Sequence, residues 1–292
     1  MLPDPKVPDL RRHRFRQIPV RMLVPNVITL LAICAGLTAI RMAIEGRIEL
    51  ALGAIVFAAV LDGIDGRVAR MIKGQSRFGA ELDSLADFVN FGVAPALILY
   101  FWQLNELKNF GWICAMIFAI SGGLRLARFN ATMDDPNKPA FAAAFFTGVP
   151  APAGAICVLL PMYLVLVGAP QLPATVTALF TLLIGFLMVS RLPVFSGKTV
   201  GKRVAPDMVL PVVVFVVLFV AVLISYPWHL LSVGALIYLA CLPLGWKSYR
   251  DLERGAAMEQ AAAAGPGTGS APYAPVPSSP ESSVDERPPR LN

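Results

Sequence analysis

The stretches LDGIDGRVAR (residues 61–70) and ELDSLADFVN (residues 81–90) place several aspartates inside otherwise apolar sequence. These residues are Asp62, Asp65, Asp83 and Asp87. The chain around them has 292 residues, of which 56% are hydrophobic and only 15% charged, and its mean hydropathy is +0.65. This composition lies outside the range of soluble globular proteins, so it predicts an integral membrane protein.

Apolar windows separated by polar or Pro/Gly breaks predict the transmembrane helices. A bilayer core ~30 Å thick requires about 20 apolar residues for each helical crossing. The predicted spans are 24–44, 49–72, 79–103, 110–131, 149–168, 173–192, 207–225 and 228–246. The predicted fold class is therefore all-α, a polytopic membrane bundle of about eight transmembrane helices.

The distribution of basic residues predicts the orientation. All but three of the 25 Lys and Arg residues lie on one side of the predicted bundle, the exceptions being Arg41, Arg47 and Lys108. Because basic loops remain cytoplasmic, we expect both termini in the cytoplasm and no cleaved signal peptide. The predicted segments are a basic interfacial segment 1–23, a transmembrane domain 24–254 and a disordered cytoplasmic tail 255–292, which is rich in Ala, Gly, Pro and Ser.

The spacing of the aspartates predicts that their side chains converge. Asp62 and Asp65 are i and i+3 on the second predicted span, so they share a helix face. Asp83 and Asp87 are i and i+4 on the third, and a short polar turn joins the two spans. Ionised groups at membrane depth require a partner, and carboxylate oxygens are the ligands that Mg²⁺ and Mn²⁺ prefer. The sequence therefore predicts a site for two divalent cations near the cytoplasmic face.

Small and basic residues accompany the acidic pairs. Gly66, Ala69 and Gly79 leave room for a flat group, and Arg70 can bind a phosphate or a carboxylate. Other interpretations stay open at this point: a hairpin turn at DGIDG, salt bridges to neighbouring arginines such as Arg67, and a proton or cation pathway through the bundle. The long apolar flanks disfavour the hairpin, and the spacing does not fit an EF-hand loop.

The full pattern, Asp-x2-Asp-Gly-x2-Ala-Arg-x8-Gly-x3-Asp-x3-Asp from Asp62 to Asp87, resembles the signature of the CDP-alcohol phosphotransferase family at every fixed position. The resemblance implies an enzyme that transfers a phosphatidyl or similar group from a CDP-linked donor to an alcohol and releases CMP. It implies metal ligands at Asp62, Asp65, Asp83 and Asp87, with Asp87 also the general base, and donor-binding residues at Gly66, Ala69, Arg70 and Gly79. It further implies a homodimer whose site opens to the cytoplasm.

Three further stretches resemble the phosphatidylserine synthase branch of that family. They are RLARFN at 125–130, GVPAP at 148–152, and MVS at 188–190 followed by SGK at 196–198. This resemblance implies CDP-diacylglycerol as donor and L-serine as acceptor, giving phosphatidylserine and CMP. The candidate acceptor-binding residues are Arg125, Arg128, Asn130, Lys138, Ser196 and Lys198.

Alternatives to this function remain at the level of sequence. The same chemistry with glycerol 3-phosphate, inositol phosphate or choline as acceptor is the nearest, and a cation transporter that uses the acidic cluster is a more distant one. We expect a multi-pass protein of a bacterial inner membrane, in contact with membrane lipids and with no nucleic-acid partner.

Overall fold

A computed structural model describes most of the chain as helices. The described residues are 20–74, 76–132, 145–190, 192–195 and 206–263. The α-helices are α1 (Val20–Ile44), α2 (Ile48–Met71), α3 (Arg77–Asp87), α4 (Ala94–Trp102), α5 (Lys108–Ala131), α6 (Ala151–Val158), α7 (Leu160–Leu166), α8 (Ala174–Val189), α9 (Pro206–Ser225) and α10 (Pro227–Ala263). A π-helix (Phe88–Val93) joins α3 to α4, and a 3₁₀-helix (Leu104–Leu107) precedes α5.

The predicted all-α class is confirmed, since each predicted span overlaps one helix or one continuous group of helices. Within the described residues, five helical segments are long and apolar enough to cross a membrane. These segments are Leu23–Ile44, Arg77–Trp102, Leu104–Ala131, Met208–Ser225 and Pro227–Lys247. The predicted windows that begin at residues 49, 149 and 173 are occupied by α2, by α6 with α7, and by α8.

The predicted span 149–168 is divided into two short helices. Pro161 lies in the first turn of α7 and has no N–H to donate to the carbonyl of Cys157, so the helix cannot continue unbroken. Pro150 is the N-cap residue of α6, and Pro152 lies in its first turn, where proline is well tolerated. The Pro-rich stretch therefore lies at the start of α6, and Pro161 lies in the first turn of α7.

The apolar surface is distributed as expected for a protein in lipid. Large side chains such as Leu52, Phe91, Phe118 and Tyr163 are fully buried between the helices. By contrast, none of the membrane-spanning window of α9 is buried, although its mean hydropathy is 3.1. Lipid tails are as apolar as these side chains, so this surface needs no protein partner in a bilayer.

A short antiparallel pair of strands, absent from the predicted fold, joins two of the loops. Strand β1 (Phe145–Thr147) pairs with β2 (Pro193–Phe195), with Phe146 opposite Val194. Three-residue strands are too short to show the alternation that sequence reasoning detects. Gly148 follows β1 at a φ of +78°, and its N–H donates to the carbonyl of Leu192 at 2.8 Å. The start of α6 is thereby held against the end of α8.

Helix α10 runs across the predicted boundary between the transmembrane domain and the tail, which stays a prediction. Helix α10 continues to Ala263, so the boundary at residue 254 falls inside a helix. Its periodic Ala, Glu and Gln residues are good helix formers, which favours continuation beyond the apolar part. Residues up to Arg250 belong to one compact unit and those from Asp251 to another. Residues 1–19 and 264–292 lie outside the described residues.

Gly111 provides a test of how closely α5 packs against the turn before it. A Cβ added at Gly111 would overlap the backbone carbonyl oxygen of Leu104, which cannot move aside as a side chain can. We expect Gly111→Ala to destabilise the protein by about 1–3 kcal/mol or more, because overpacking forces a backbone shift. The measurement is thermal unfolding of the purified protein in detergent.

The matched control is Gly53→Ala in α2, where nothing lies within 4 Å of the added Cβ. Alanine has the higher helix propensity, by up to about 1 kcal/mol, so this variant should be as stable as the parent or more so. Equal stability of the two variants would contradict the close packing at Gly111.

Candidate active site

Three of the four aspartates form one acidic group. Ligand oxygens of Asp62, Asp65 and Asp83 all lie within 4.8 Å of one another. Asp87, one turn after Asp83, lies close enough to interact electrostatically with both Asp62 and Asp83. The convergence predicted from the spacing is therefore observed, with Asp87 placed at the edge of the three-membered group.

The turn between α2 and α3 returns the chain so that the two acidic pairs meet. The N–H of Gly74 donates to the carbonyl of Ala69 at 2.9 Å and closes the end of α2, and Lys73 adopts a positive φ of 50°. Ser76 is the N-cap residue of α3, and its hydroxyl accepts a hydrogen bond from the N–H of Gly79 at 2.9 Å. This cap satisfies an otherwise unpaired donor of the first helical turn.

Among the described residues, no basic side chain forms an ion pair with the acidic group. In the part of the chain that the structure describes, the ion pairs join Arg41 and Arg47 to Glu45, and neither pair involves the four aspartates. The alternative in which Arg67 and its neighbours form structural salt bridges with the acidic group is therefore unsupported. Carboxylates this close together repel one another unless a cation lies between them.

The hydrogen bonding of the group fits a divalent cation. Asp65 is only 3% exposed, and its Oδ2 accepts a hydrogen bond from Thr29 Oγ1 at 2.7 Å. Its other oxygen, Oδ1, is buried with no hydrogen-bond partner among the described residues, and the same holds for Oδ1 of Asp87. Buried polar atoms are almost always satisfied, and carboxylate oxygens are hard ligands, so the residues present fit Mg²⁺ or Mn²⁺.

A cavity of about 310 Å³ lies beside the acidic group, between α1, α2 and α3. The predicted donor-binding residues Gly66, Ala69, Arg70 and Gly79 all line it, together with Asp65 and Asp83. A Cβ on Gly79 would lie 2.9 Å from Oδ1 of Asn26 and 3.1 Å from Oγ of Ser76, so the glycine leaves room for these two polar side chains.

The candidate acceptor-binding residues occupy different environments. Arg125 is only 8% exposed and interacts electrostatically with Asp87. Arg128 instead donates from Nη1 to the carbonyl of Val189 at 2.6 Å, which ties α5 to the end of α8. Asn130 is exposed, and its amide donates to the hydroxyl of Ser84 at 3.0 Å. Lys138, Ser196 and Lys198 lie outside the described residues.

Sequence reasoning missed the contribution of α1. Asn26 and Thr29 line the cavity, and Thr29 is bonded directly to Asp65. The sequence offered one signal for this role: Asn26 and Thr29 are polar residues three positions apart in an otherwise apolar helix. A lone threonine in such a helix commonly bonds to the carbonyl four residues earlier, and Thr29 Oγ1 does lie 3.1 Å from the carbonyl of Pro25. Only the tertiary arrangement distinguishes the two roles.

Comparison with known proteins agrees with the geometry. The family described as CDP-alcohol phosphatidyltransferase matches residues 22–245. A similar protein from Mycobacterium leprae is 40% identical over 243 residues, which cover 82% of this chain and 80% of the relative. One from Helicobacter pylori is 35% identical over 231 residues, covering 77% and 91%. One from Methanocaldococcus jannaschii is 37% identical over 179 residues, covering 60% and 76%. All three are named CDP-diacylglycerol--serine O-phosphatidyltransferase.

The hydrogen bond from Thr29 to Asp65 generates a test of metal binding. Thr29→Val keeps the shape of the side chain but removes the donor that orients the carboxylate. We expect Mn²⁺ affinity to fall by about 10-fold or more, since partners that orient a metal ligand typically contribute 10–100-fold. The measurement is Mn²⁺ binding to the purified protein by electron paramagnetic resonance.

Two variants make that measurement specific. Thr29→Ser retains the hydroxyl and should bind Mn²⁺ nearly as the parent does. Thr38→Val makes the same substitution in the same helix, at an exposed threonine whose hydroxyl donates to the carbonyl of Cys34, and should leave Mn²⁺ affinity unchanged. Parental affinity in Thr29→Val, or an equal loss in Thr38→Val, would contradict the orienting role.

Proposed function

The chain belongs to the CDP-alcohol phosphatidyltransferase family, and from this premise we propose that it transfers the phosphatidyl group of CDP-diacylglycerol to the hydroxyl of L-serine. The products are phosphatidylserine and CMP. The observation that supports this most directly is the position of the acidic group, which lies between a cavity lined by the donor-binding motif and the buried Arg125. The names of the relatives support serine as the acceptor.

The donor occupies the cavity beside α1, α2 and α3. Gly66, Ala69 and Gly79 present little or no side chain there, so a flat nucleotide can approach the helix backbones. Arg70 lines the same cavity and can donate two parallel hydrogen bonds to a phosphate. The acyl chains of the donor remain in the lipid, because the apolar outer surface of the helices faces it.

Asp62, Asp65 and Asp83 would hold the divalent cations, Mg²⁺ or Mn²⁺, and Asp87 completes the set of carboxylates. When bound, such ions neutralise charge on the diphosphate and favour departure of CMP. Thr29 orients Asp65 by its hydrogen bond, so one ligand is fixed before a cation arrives. Helices α2 and α3 hold the carboxylates of Asp62, Asp83 and Asp87 at fixed positions relative to one another.

Asp87 accepts the proton of the attacking hydroxyl. The serine oxygen forms a bond to the phosphorus that carries the diacylglycerol oxygen, and the bond from that phosphorus to the oxygen of CMP breaks. A carboxylate can act as general base only if it lies within reach of the proton. Asp87 has a buried oxygen with no hydrogen-bond partner among the described residues, so this atom is available to the hydroxyl.

The membrane placement follows from charge and hydropathy. In the predicted topology, basic residues cluster on the side of the bundle that carries the acidic group and both termini, so we propose that the site opens to the cytoplasm. A bacterial inner membrane fits this orientation, since CMP and serine are soluble cytoplasmic molecules. The homodimer implied by the family resemblance stays a prediction.

The direct test is CMP release by the purified protein in detergent with CDP-diacylglycerol, Mn²⁺ and one acceptor at a time. We expect release that depends on L-serine and on the metal, with phosphatidylserine as the lipid product. Release that depends instead on glycerol 3-phosphate, inositol phosphate or choline would overturn the acceptor assignment. Absence of metal-dependent release with all of these acceptors would overturn the transferase assignment and favour a transporter.

The role of Asp87 is tested by Asp87→Asn. This variant should lose about 10²–10⁴-fold in turnover, because it removes the base, while its binding of CDP-diacylglycerol is largely retained. The comparison variant is Asp62→Asn, which should lose Mn²⁺ affinity to a greater extent than Asp87→Asn does. The measurements are steady-state CMP release and equilibrium binding of Mn²⁺. Near-parental turnover in Asp87→Asn would show that another group takes the proton.

A further inference from the structure

We infer that Asn90 positions the carboxylate of Asp87 for catalysis: the buried side-chain amide of Asn90 donates, through one bridging water molecule, to the unpartnered oxygen of Asp87. The inference rests on the proposed function, in which Asp87 takes the proton of the acceptor hydroxyl, and it assigns a positioning residue to that step. Asn90 lies outside the acidic motif and acts through Asp87, without contact with either substrate.

The first observation concerns the side chain of Asn90. It is fully buried, and neither its amide nitrogen nor its amide oxygen has a hydrogen-bond partner among the described residues. Gln103 shows how another buried amide is satisfied in this protein: its Nε2 donates to the carbonyl of Leu172, and its Oε1 accepts from Thr177 at 2.9 Å. Because buried polar groups are almost always bonded, we expect the amide of Asn90 to bind a water molecule or a ligand.

The second observation concerns the backbone next to Asp87. The π-helix Phe88–Val93 begins directly after this residue. The N–H of Ala94 donates to the carbonyl of Val89, five residues earlier. Pro95 follows; it has no N–H, and its ring would clash with the carbonyl four residues before it, so a regular α-helix cannot continue through this point. Such π-helical turns are rare and occur frequently at functional sites, and this one adjoins the proposed base.

The third observation concerns the helix that Asn90 faces. A Cβ added at Gly36 of α1 would overlap the amide oxygen of Asn90, so this side chain lies directly against the backbone of α1. Gly36 follows Thr29 by seven residues, which is two helical turns, so the two share a face of α1. Thr29 is the residue that bonds to Asp65. Asn90 therefore lies against the same face of α1 as the acidic group, about 10 Å further along the helix axis.

A donor and an acceptor that both lack a partner are thereby brought together. Asn90 and Asp87 are three residues apart in one continuous helical run, so their Cβ atoms are about 5–6 Å apart. Nδ2 of Asn90 is a donor, and Oδ1 of Asp87 is a buried acceptor with no partner among the described residues. One water molecule spans such a separation and satisfies both groups. A carboxylate oxygen has two lone pairs, so the second remains for the acceptor hydroxyl.

The test is Asn90→Leu, which keeps nearly the same shape and removes the donor. We expect kcat for CMP release to fall about 10-fold or more, within the range for residues that orient the ligands of a metal site, while KM for L-serine and KM for CDP-diacylglycerol change little. The Tm of the variant should equal or exceed that of the parent, because an apolar side chain replaces a buried amide that has no protein partner. A residue that only packs would not separate kcat from stability in this way.

The matched control is Gln103→Met, which removes a buried amide that is fully bonded and lies at the C-terminal end of α4, away from the acidic group. It leaves the carbonyl of Leu172 and the hydroxyl of Thr177 without their partner, so Tm should fall while kcat of the folded protein stays unchanged. Parental kcat in Asn90→Leu, or a fall in kcat with the same loss of Tm as in Gln103→Met, would overturn the inference and leave Asn90 a packing residue.

A double variant shows whether Asn90 acts through Asp87. Asp87→Asn removes the base, so the addition of Asn90→Leu to it should lower kcat no further, whereas two independent effects would multiply. The measurement is CMP release by the single and double variants under the same conditions. Losses that multiply would mean that Asn90 acts on another group, which would overturn the inference.

Gly36→Ala covers the case in which Asn90→Leu does not fold. The added methyl overlaps the end of the Asn90 side chain, which can rotate, so the same selective fall in kcat is expected. Gly53→Ala, with nothing within 4 Å of the added Cβ, should leave kcat unchanged. Parental kcat in Gly36→Ala would overturn the inference.

The parent protein separates the two proposals. A parent that does not use L-serine refutes the proposed function, whereas an active parent with an unaffected Asn90→Leu variant refutes only this inference.

Discussion

Four carboxylates lie close together inside an apolar helix bundle, and their mutual repulsion is the constraint on which the site depends. The described residues supply no ion pair to the group, and two of its buried oxygens have no hydrogen-bond partner. Such an arrangement is unfavourable for the protein alone and favourable with divalent cations bound. Bound divalent cations would offset the free energy lost in assembling the group.

The acidic group borders the cavity between α1, α2 and α3, and α1 contacts the group directly. Gly79 leaves room for the side chain of Asn26 from α1, and Thr29 of α1 bonds to Asp65. Gly66 leaves space in the adjoining cavity of about 310 Å³. Small residues therefore have two physical roles here: Gly79 accommodates a polar side chain of a neighbouring helix, and Gly66 leaves the cavity open.

Two arginines one helical turn apart have different roles, although the sequence suggests the same role for both. Arg128 donates to the carbonyl of Val189 and so fixes α5 to the end of α8, next to the strand pair and Gly148. Arg125 is instead buried and interacts electrostatically with Asp87. The described parts of the three stretches associated with the acceptor (125–130, 148–152 and 188–190) converge, but much of their contact is structural.

Local patterns in the sequence determined the helical class, the approximate spans and the acidic motif, because hydropathy and i, i+3 or i, i+4 spacing act within a single helix. The bond from Thr29 to Asp65, the strand pair and the different partners of Arg125 and Arg128 were decided by tertiary structure. Contacts between residues far apart in the chain depend on how each helix is rotated and which helices pack together. In a uniformly apolar segment every face is equally compatible with lipid, so hydropathy alone cannot specify that rotation.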